Sequence, residues 1–451
     1  MEIKTNKAAV HFEVGGPKAT FVLVICSLLW MINFMDRQVL SVVLEPMKID
    51  LGLTDAQAGW ITTSLFMGVA VFAIPFSFMA DQWSRKKSIG IMAIFWSIAT
   101  FFTGMGKSFL GIFIPHLMTG VGQAGFSSAG MALISSSFPE DILAKKMGIF
   151  NLFQIIGISL GLILGGYLSA HHGGWKTPFF VFAVPGILIG FAAFFMQDYS
   201  TAFTPAATGE KKGLTAKVKS LLEIPTLVWF YAGYSLFTAL AFAVLTWSPA
   251  LIMRKFQIGE DMAGLFMAAT GAFAVPGVLL GGSIADKWQK KHPAGRMFFA
   301  AVMVLLSTAA IMASLLCVVF FPDHWEGDFS IKGGVALVLF SLFCAASAAV
   351  NPAVMAATQS VVSRDTKGMV WGLGLTIILI FGGAWSPTLT GYLSDRLGGG
   401  ANGLACALLI ISSLGIIGFF CFWKSSRHFP EDAKNNNNDR TKFAREHEQY
   451  R

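Results

Sequence analysis

"ADQWSRKK" runs from Ala80 to Lys87, and "ADKWQKKH" runs from Ala285 to His292. Asp81 corresponds to Asp286 and Trp83 to Trp288, at one offset of 205 residues (286 − 81). Each copy follows a long apolar run. An acidic, aromatic and basic phrase written twice in that setting marks a duplicated unit, and the fold follows from finding where that unit begins and ends.

The 451-residue chain is 55% hydrophobic and 13% charged, about half the charge of an average soluble domain. Its apolar residues fall into blocks long enough to cross a bilayer, which takes roughly 20 residues each. Twelve such spans are expected, near 20–45, 57–80, 88–107, 110–138, 143–169, 178–197, 226–251, 263–285, 297–321, 334–361, 368–393 and 403–423. They must be helices, because hydrocarbon satisfies no backbone polar group and the blocks are too long for barrel strands. The predicted class is an all-α membrane protein of two pseudo-symmetric six-helix bundles. Residues 1–19 form an N-terminal arm, 20–197 the first bundle, 198–225 a basic linker, 226–424 the second bundle and 425–451 a polar tail expected to be disordered.

Seven basic residues, Lys48, Lys107, Lys176, Arg254, Lys255, Lys332 and Arg396, fall on one side of this arrangement. Arg37 lies within a span, and the other 25 of the 33 share the side of both termini. The positive-inside rule places that side in the cytoplasm, as for a bacterial inner-membrane protein. Basic residues scattered over short loops do not read as a nucleic-acid surface. No nucleotide loop, metal-spaced cluster or enzyme signature is present, so no cofactor, metal or catalytic residue is expected. The cysteines Cys26, Cys317, Cys344, Cys406 and Cys421 all lie in apolar blocks and read as packing residues. No cleavable signal peptide is read at the start, since the first apolar block is too long for one.

The repeated phrase lies between spans 2 and 3 and again between spans 8 and 9. In that position it resembles the loop signature of the major facilitator superfamily: a Gly, three residues, Asp, a basic residue, then a small residue and a basic pair. "GGSIADKWQKK" keeps Gly282, Asp286, Lys287, Lys290 and Lys291. "SFMADQWSRKK" has Ser77 and Gln82 in place of Gly and a basic residue but keeps Asp81 with Arg85, Lys86 and Lys87. The resemblance implies a conformational gate in which each acid faces the N-terminus of a helix in the other half, where the helix dipole favours a negative charge. Asp81 would face the start of span 11 near Arg364 and Lys367, and Asp286 the start of span 5 near Lys145 and Lys146.

The first span narrows the resemblance. "NFMDRQVLSVVLEPMKIDLGLTDAQAGWI" (33–61), "GVGQAGFSSAG" (120–130) and "GGWKTPFFVFAVPG" (173–186) are similar to the spinster-like branch. The organic anion:cation symporters are the nearest rival. The first branch implies lysophospholipid- or sphingosine-type solutes, the second sugar acids and other carboxylates.

Asp36 and Arg37 are the charged pair within a predicted span, and intramembrane charge is costly enough to demand a partner or a purpose. Asn33, Asp36, Arg37 and Ser41 share one side of the helix. Either the two charges neutralise each other, or Asp36 carries a proton while Arg37 holds an anionic group. In span 4, "HLMTGVGQAG" puts His116 where the family has Arg, and Gln123 where the spinster-like branch has Glu. His116 then stands as a second titratable candidate or as a neutral, hydrogen-bonded residue. Further cavity candidates are Asn151 and Gln154 in span 5, Tyr231, Tyr234 and Thr238 in span 7, and Asn351 and Gln359 in span 10. The expected function is proton-coupled secondary transport of an amphipathic or anionic organic solute by alternating access, carried out by a monomer. A passive facilitator and a non-transporting receptor are the alternatives.

Overall fold

The computed structural model describes residues 14–198, 214–320, 331–362 and 366–448. Helices account for its regular structure. Spans 1 to 3 are α1 (Gly16–Leu51), α2 (Asp55–Gln82) and α3 (Arg85–Gly104). Span 4 is broken into α4 (Phe109–Gln123) and α5 (Phe126–Ser137). Spans 5 and 6 are α6 (Glu140–His171) and α7 (Thr177–Ala193), and α8 (Leu214–Leu222) lies in the linker. Span 7 is α9 (Pro225–Phe256); span 8 divides into α10 (Glu260–Gly271) and α11 (Ala274–Lys291). Spans 9 and 10 are α12 (Gly295–Val319) and α13 (Ile331–Ser360). Span 11 is α14 (Lys367–Ile378), a π-helical turn (Leu379–Gly383) and α15 (Ser386–Arg396). Span 12 is α16 (Gly400–Ser412) and α17 (Leu414–Glu448). Eleven described segments meet the length and hydropathy of a membrane span, and α7, at 17 residues, is a shorter apolar helix within the spanning range. The protein is a multi-pass integral membrane protein.

Close helix approach follows from glycine placement. A side chain at Gly157 or Gly161 on α6 would run into the Met31 or Met35 carbonyl of α1, so α1 and α6 pack backbone to backbone. All five cysteines are free, with Cys26, Cys344 and Cys421 buried.

Among the described residues, the halves pack closely on one side. The closely packed pairs that join them are α2 with α15, α6 with α10 and α1 with α9. These segments lie at the ends of the odd spans and the beginnings of the even ones, on the side opposite the termini, here called the far side. On the terminal side no closely packed pair joins α11 or α14 to the first half among the described residues. The described residues are therefore closely packed between the halves at the far side and not at the terminal side.

The tail departs from the expectation of disorder. α17 continues unbroken to Glu448. Its polar side chains find backbone partners on the second half, and that is why a polar sequence stays ordered. Asp432 accepts from the Thr226 N–H (3.0 Å) and hydroxyl (2.6 Å) at the start of α9. Asn436 donates to the carbonyls of Ser360 (2.8 Å) and Val362 (3.0 Å) at the end of α13. Ser425 donates to the Thr226 carbonyl. Asp432 thus caps a helix that has no capping side chain of its own. Asp432→Ala should lower stability by about 1 kcal/mol, the usual loss for a missing cap. Thermal melts in detergent check this, and Thr226→Val combined with it should be clearly less than additive.

Candidate functional site

The polar stripe of α1 lies inside the first half. Asn33 and Asp36 are buried and Arg37 is half-buried. Arg37 makes no salt bridge to its neighbour. Its Nε donates to Gln123 Oε1 at 2.9 Å, and its guanidinium lies 5.1 Å from the centre of the Phe34 ring. Gln123 is positioned by the break in span 4, which stops α4 at that residue. The break is packed closely: a side chain at Gly122 would meet Trp96, and one at Gly125 would meet Phe76. Asp36 receives one weak bond, from the Thr100 hydroxyl at 3.3 Å, and its Oδ1 has no hydrogen-bond partner. Both amide atoms of Asn33, the Gln123 Nε2 and the Ser97 hydroxyl are likewise buried without partners. Buried polar atoms are normally bonded, and each exception calls for an explanation.

His116 is buried two turns along α4 from Gln123. No hydrogen bond links it to Asp36, Arg37 or Gln123 among the described residues. On α6, Asn151 is exposed and Gln154 half-buried.

The second half contributes hydroxyls and rings. Tyr231 donates to the Val370 carbonyl (2.8 Å), and Tyr234 to the exposed Asn351 Oδ1 (2.9 Å). Trp371 stands edge-on to Phe230 and Tyr234. Gly374 leaves no room for a side chain beside the Tyr231 ring. Thr238 is buried, and Gln359 is half-buried. The π turn follows in span 11, a distortion common at functional sites. There Gly382 lies against the Ser235 carbonyl. Phe66 of α2 and Phe242 of α9, 4.6 Å apart, join Leu65, Val69 and Leu379 in an apolar plug between the halves.

Beyond the plug lies the far gate. Asp55 begins α2 and is 1% exposed. Its carboxylate accepts from Arg254 Nη2 (2.6 Å) and Nη1 (2.8 Å), Lys48 Nζ (2.6 Å) and Ser394 Oγ (2.6 Å). Arg254 also reaches Glu45 at 2.6 Å. The first amides of α2 are satisfied across the same boundary: Asp55 N and Ala56 N donate to the two oxygens of Asp395 at 3.0 and 2.8 Å. Gln57 N donates to the cap residue Thr54. A helix N-terminus favours negative charge, so an acid at the end of α15 seats naturally on the start of α2. Gly391 and Gly59 permit the contact, since a side chain at either would collide with the backbone of Asp55 or Pro387.

A second copy of this contact exists. "GYLS" occurs at Gly166–Ser169 and again at Gly391–Ser394. Gly391 abuts the Asp55 carbonyl and Ser394 binds the Asp55 carboxylate. Gly166 abuts the Glu260 carbonyl and Ser169 binds Glu260 Oε1 at 3.0 Å. Asp55 and Glu260 are 205 residues apart (260 − 55), the offset that relates Asp81 to Asp286. Beside the second copy, His171 Nε2 lies 3.1 Å from Asp261 Oδ2.

On the terminal side, Asp286 is exposed and bonds to Arg296 within its own half, at 2.7 Å to Nη2 and 2.8 Å to Nε. It does not meet Lys145 or Lys146 in this state. Lys287 and Lys290 are exposed, while Arg85 and Lys86 are half-buried. The side chains of Asp81 and Lys367, and all of Arg364, lie outside the described residues.

A family model for the Major Facilitator Superfamily matches residues 26–387. The chain belongs to that superfamily. Within it, the relatives place this facilitator in the spinster-like branch. It is 24% identical to protein spinster homolog 1 of Xenopus tropicalis, over 96% of this chain and 86% of that protein. It is 25% identical to an MFS-type efflux pump of Mycolicibacterium smegmatis, over 94% and 96% of the two chains. Its fold matches a bacterial homologue of the human lysosomal transporter spinster, solved in an inward-facing, unoccupied conformation. There the TM-score is 0.81 at 22% identity, covering 93% of this chain and 99% of that one. Family and fold point to membrane transport rather than enzymatic turnover.

The far gate is the part of this facilitator that the sequence reading missed. Lys48 and Arg254 appeared there only as stray charges on the sparsely basic side, and Asp55 only within the quoted stretch 33–61. The doubled "GYLS" was the available signal. Arg254→Ala removes the main partners of a buried carboxylate, a loss on the order of 3 kcal/mol where such a pair is broken. Spin labels across the far side should show the wild-type separation widening in the variant. Unchanged distances would remove the gate assignment. His171→Ala, at a half-exposed contact, should widen it far less.

Proposed function

We propose that this protein is a proton-coupled secondary transporter that moves an amphipathic or anionic organic solute by alternating access. The observation that carries the reading is the pairing of two unlike groups on one helical stripe. Asp36 is a buried carboxyl with a single weak donor and no cation bound to it, whereas Arg37 is steered away from it by Gln123. The two form no direct salt bridge in this state. Each is left with a role of its own. Asp36 takes up and releases a proton, and Arg37 attracts the charged group of the solute. Tyr231, Tyr234, Asn351 and Trp371 would form the facing wall, suited to a solute with apolar as well as polar surface. His116, Asn151, Gln154, Thr238 and Gln359 complete the proposed cavity.

In this reading the side of the termini is the cytoplasm, the membrane is a bacterial inner membrane and a monomer suffices. The halves 20–197 and 226–424 rock about the cavity. The present state is open inward, closed at the far gate. In the opposite state the acids Asp81 and Asp286, with Arg85, Lys86, Lys287 and Lys290 beside them, close the cytoplasmic side. The Asp286–Arg296 bond fits this, since it holds the acid within its own half while the gate is open.

The experiment is uptake into proteoliposomes under an imposed pH gradient, with a sugar acid, a lysophospholipid and a cationic dye as probes. The wild type should concentrate at least one of them. Asp36→Asn should abolish accumulation while leaving exchange measurable; accumulation that persists in this variant would overturn the carboxyl mechanism. Arg37→Ala should raise the KM for an anionic probe by about tenfold or more, the usual effect of losing one charge-assisted bond.

The gates make a separate prediction. Asp81→Asn should shift the population toward the inward-open state by about 1 kcal/mol, the scale of a charge at a helix terminus, and Asp286→Asn by less, because it also loses the exposed Arg296 bond of this state. Labels across the cytoplasmic side would report this as a larger open fraction. If neither distance distribution changes, these acids do not act as latches.

A further inference from the structure

One surface of the second half carries chemistry that the transport mechanism does not use. Where span 12 leaves the apolar region, Ile417, Phe420, Lys424 and Arg427 are all exposed and follow one another at intervals of three and four. They make a single stripe along α17. Its first two members are 53% and 55% exposed and apolar, as a lipid-facing surface requires. Its last two are cations, and Lys424 is the first charged residue after Arg396. The stripe therefore passes from hydrocarbon to charge within one turn.

Both cations are held sideways against tryptophan. Lys424 Nζ lies 4.1 Å from the ring centre of Trp229 at the start of α9, and the Arg427 guanidinium lies 3.8 Å from that of Trp423. Half-buried tryptophan at this depth is the usual marker of a membrane interface. Neither cation forms a salt bridge among the described residues, in contrast to Arg296, which is neutralised by Asp286. The support is rigid, because Ser425, Asp432 and Asn436 tie the same helix to α9 and α13. Two ordered, unneutralised cations one turn apart, directly at the end of an apolar stripe, form a receptor for a phosphate-bearing group, and guanidinium is well shaped for its oxygens. Free phosphate would meet the cations alone. A lipid would use the whole stripe, with its chains along Phe420 and Ile417.

We propose that Lys424 and Arg427, backed by Trp229 and Trp423, bind the headgroup of an anionic phospholipid. This site lies outside the solute cavity and does not depend on which solute is carried.

Native mass spectrometry of the full-length protein, taken from micelles holding equimolar phosphatidylglycerol and phosphatidylcholine, tests it. The wild type should retain phosphatidylglycerol preferentially. Lys424→Gln and Arg427→Gln should each reduce that preference about fivefold, the equivalent of ~1 kcal/mol per basic residue at an anionic surface. Lys107→Gln, on the opposite side, should leave it unchanged. Thermal melts provide the second arm: phosphatidylglycerol should raise the wild-type Tm, high salt should erase the gain, and the double variant should show none. Lys424→Arg keeps the charge and should keep the lipid, which guards against loss through misfolding. Undiminished phosphatidylglycerol retention in the double variant would overturn the proposal. So would an equal rise in Tm from millimolar inorganic phosphate, which would mark a small-anion site only.

Discussion

A carboxylate almost wholly withdrawn from water sets the terms for the rest of the molecule. Asp55 can stay ionised at its position only while Arg254, Lys48 and Ser394 surround it, and two of those three come from the other half of the chain. Burying a charge is tolerable when every partner is in place and very costly when one leaves. The contact is therefore close to all-or-none, and the apolar plug and the glycine contacts beneath it depend on its being made. Glu260 and Ser169 repeat the arrangement with a longer acid and fewer cations, so the two-fold relation between the halves is chemical as well as geometric.

The cavity side has the opposite character. Around Asn33, Asp36 and Gln123 the protein leaves polar atoms unpaired, whereas at the far gate nearly every polar group is matched. Unpaired groups raise the energy of a site until something binds or changes state there. The two bundles share this burden unequally. The first carries the charged pair and the unpaired amides of Asn33 and Gln123; the second offers tyrosine hydroxyls already bonded to their neighbours, with the Ser235 hydroxyl and Trp371 indole N–H left unpaired.

The class of fold was legible because span length and hydropathy are local properties of a chain. The duplicated loop phrase was legible for the same reason. The ends of the spans were less so. α1 continues to Leu51 past the expected 45, and α17 far past 423, because polar helix beyond the hydrocarbon is stabilised by tertiary bonds that no window of sequence displays. Within the site, the sequence places Asn33, Asp36, Arg37 and Ser41 on one helix, but the partner of Arg37 lies 86 residues away. Adjacent residues on a helix point in different directions, which favoured separate partners without naming them. The far gate is the clearest gap: Asp55 and Arg254 are 199 residues apart, and only a comparison of the two copies of "GYLS" would have linked them.

The π turn at Leu379–Gly383 has its own consequence. It inserts one residue into the winding of span 11, and each residue of an α-helix advances the side-chain direction by about 100°. α14 and α15 are thus out of phase with each other. Trp371 and Gly374 are aimed by the winding below the turn, Gly391 and Ser394 by the winding above it. A change that re-aims the lower segment need not rotate the upper one. The ring packing below the turn can vary while the contact with Asp55 above it is kept.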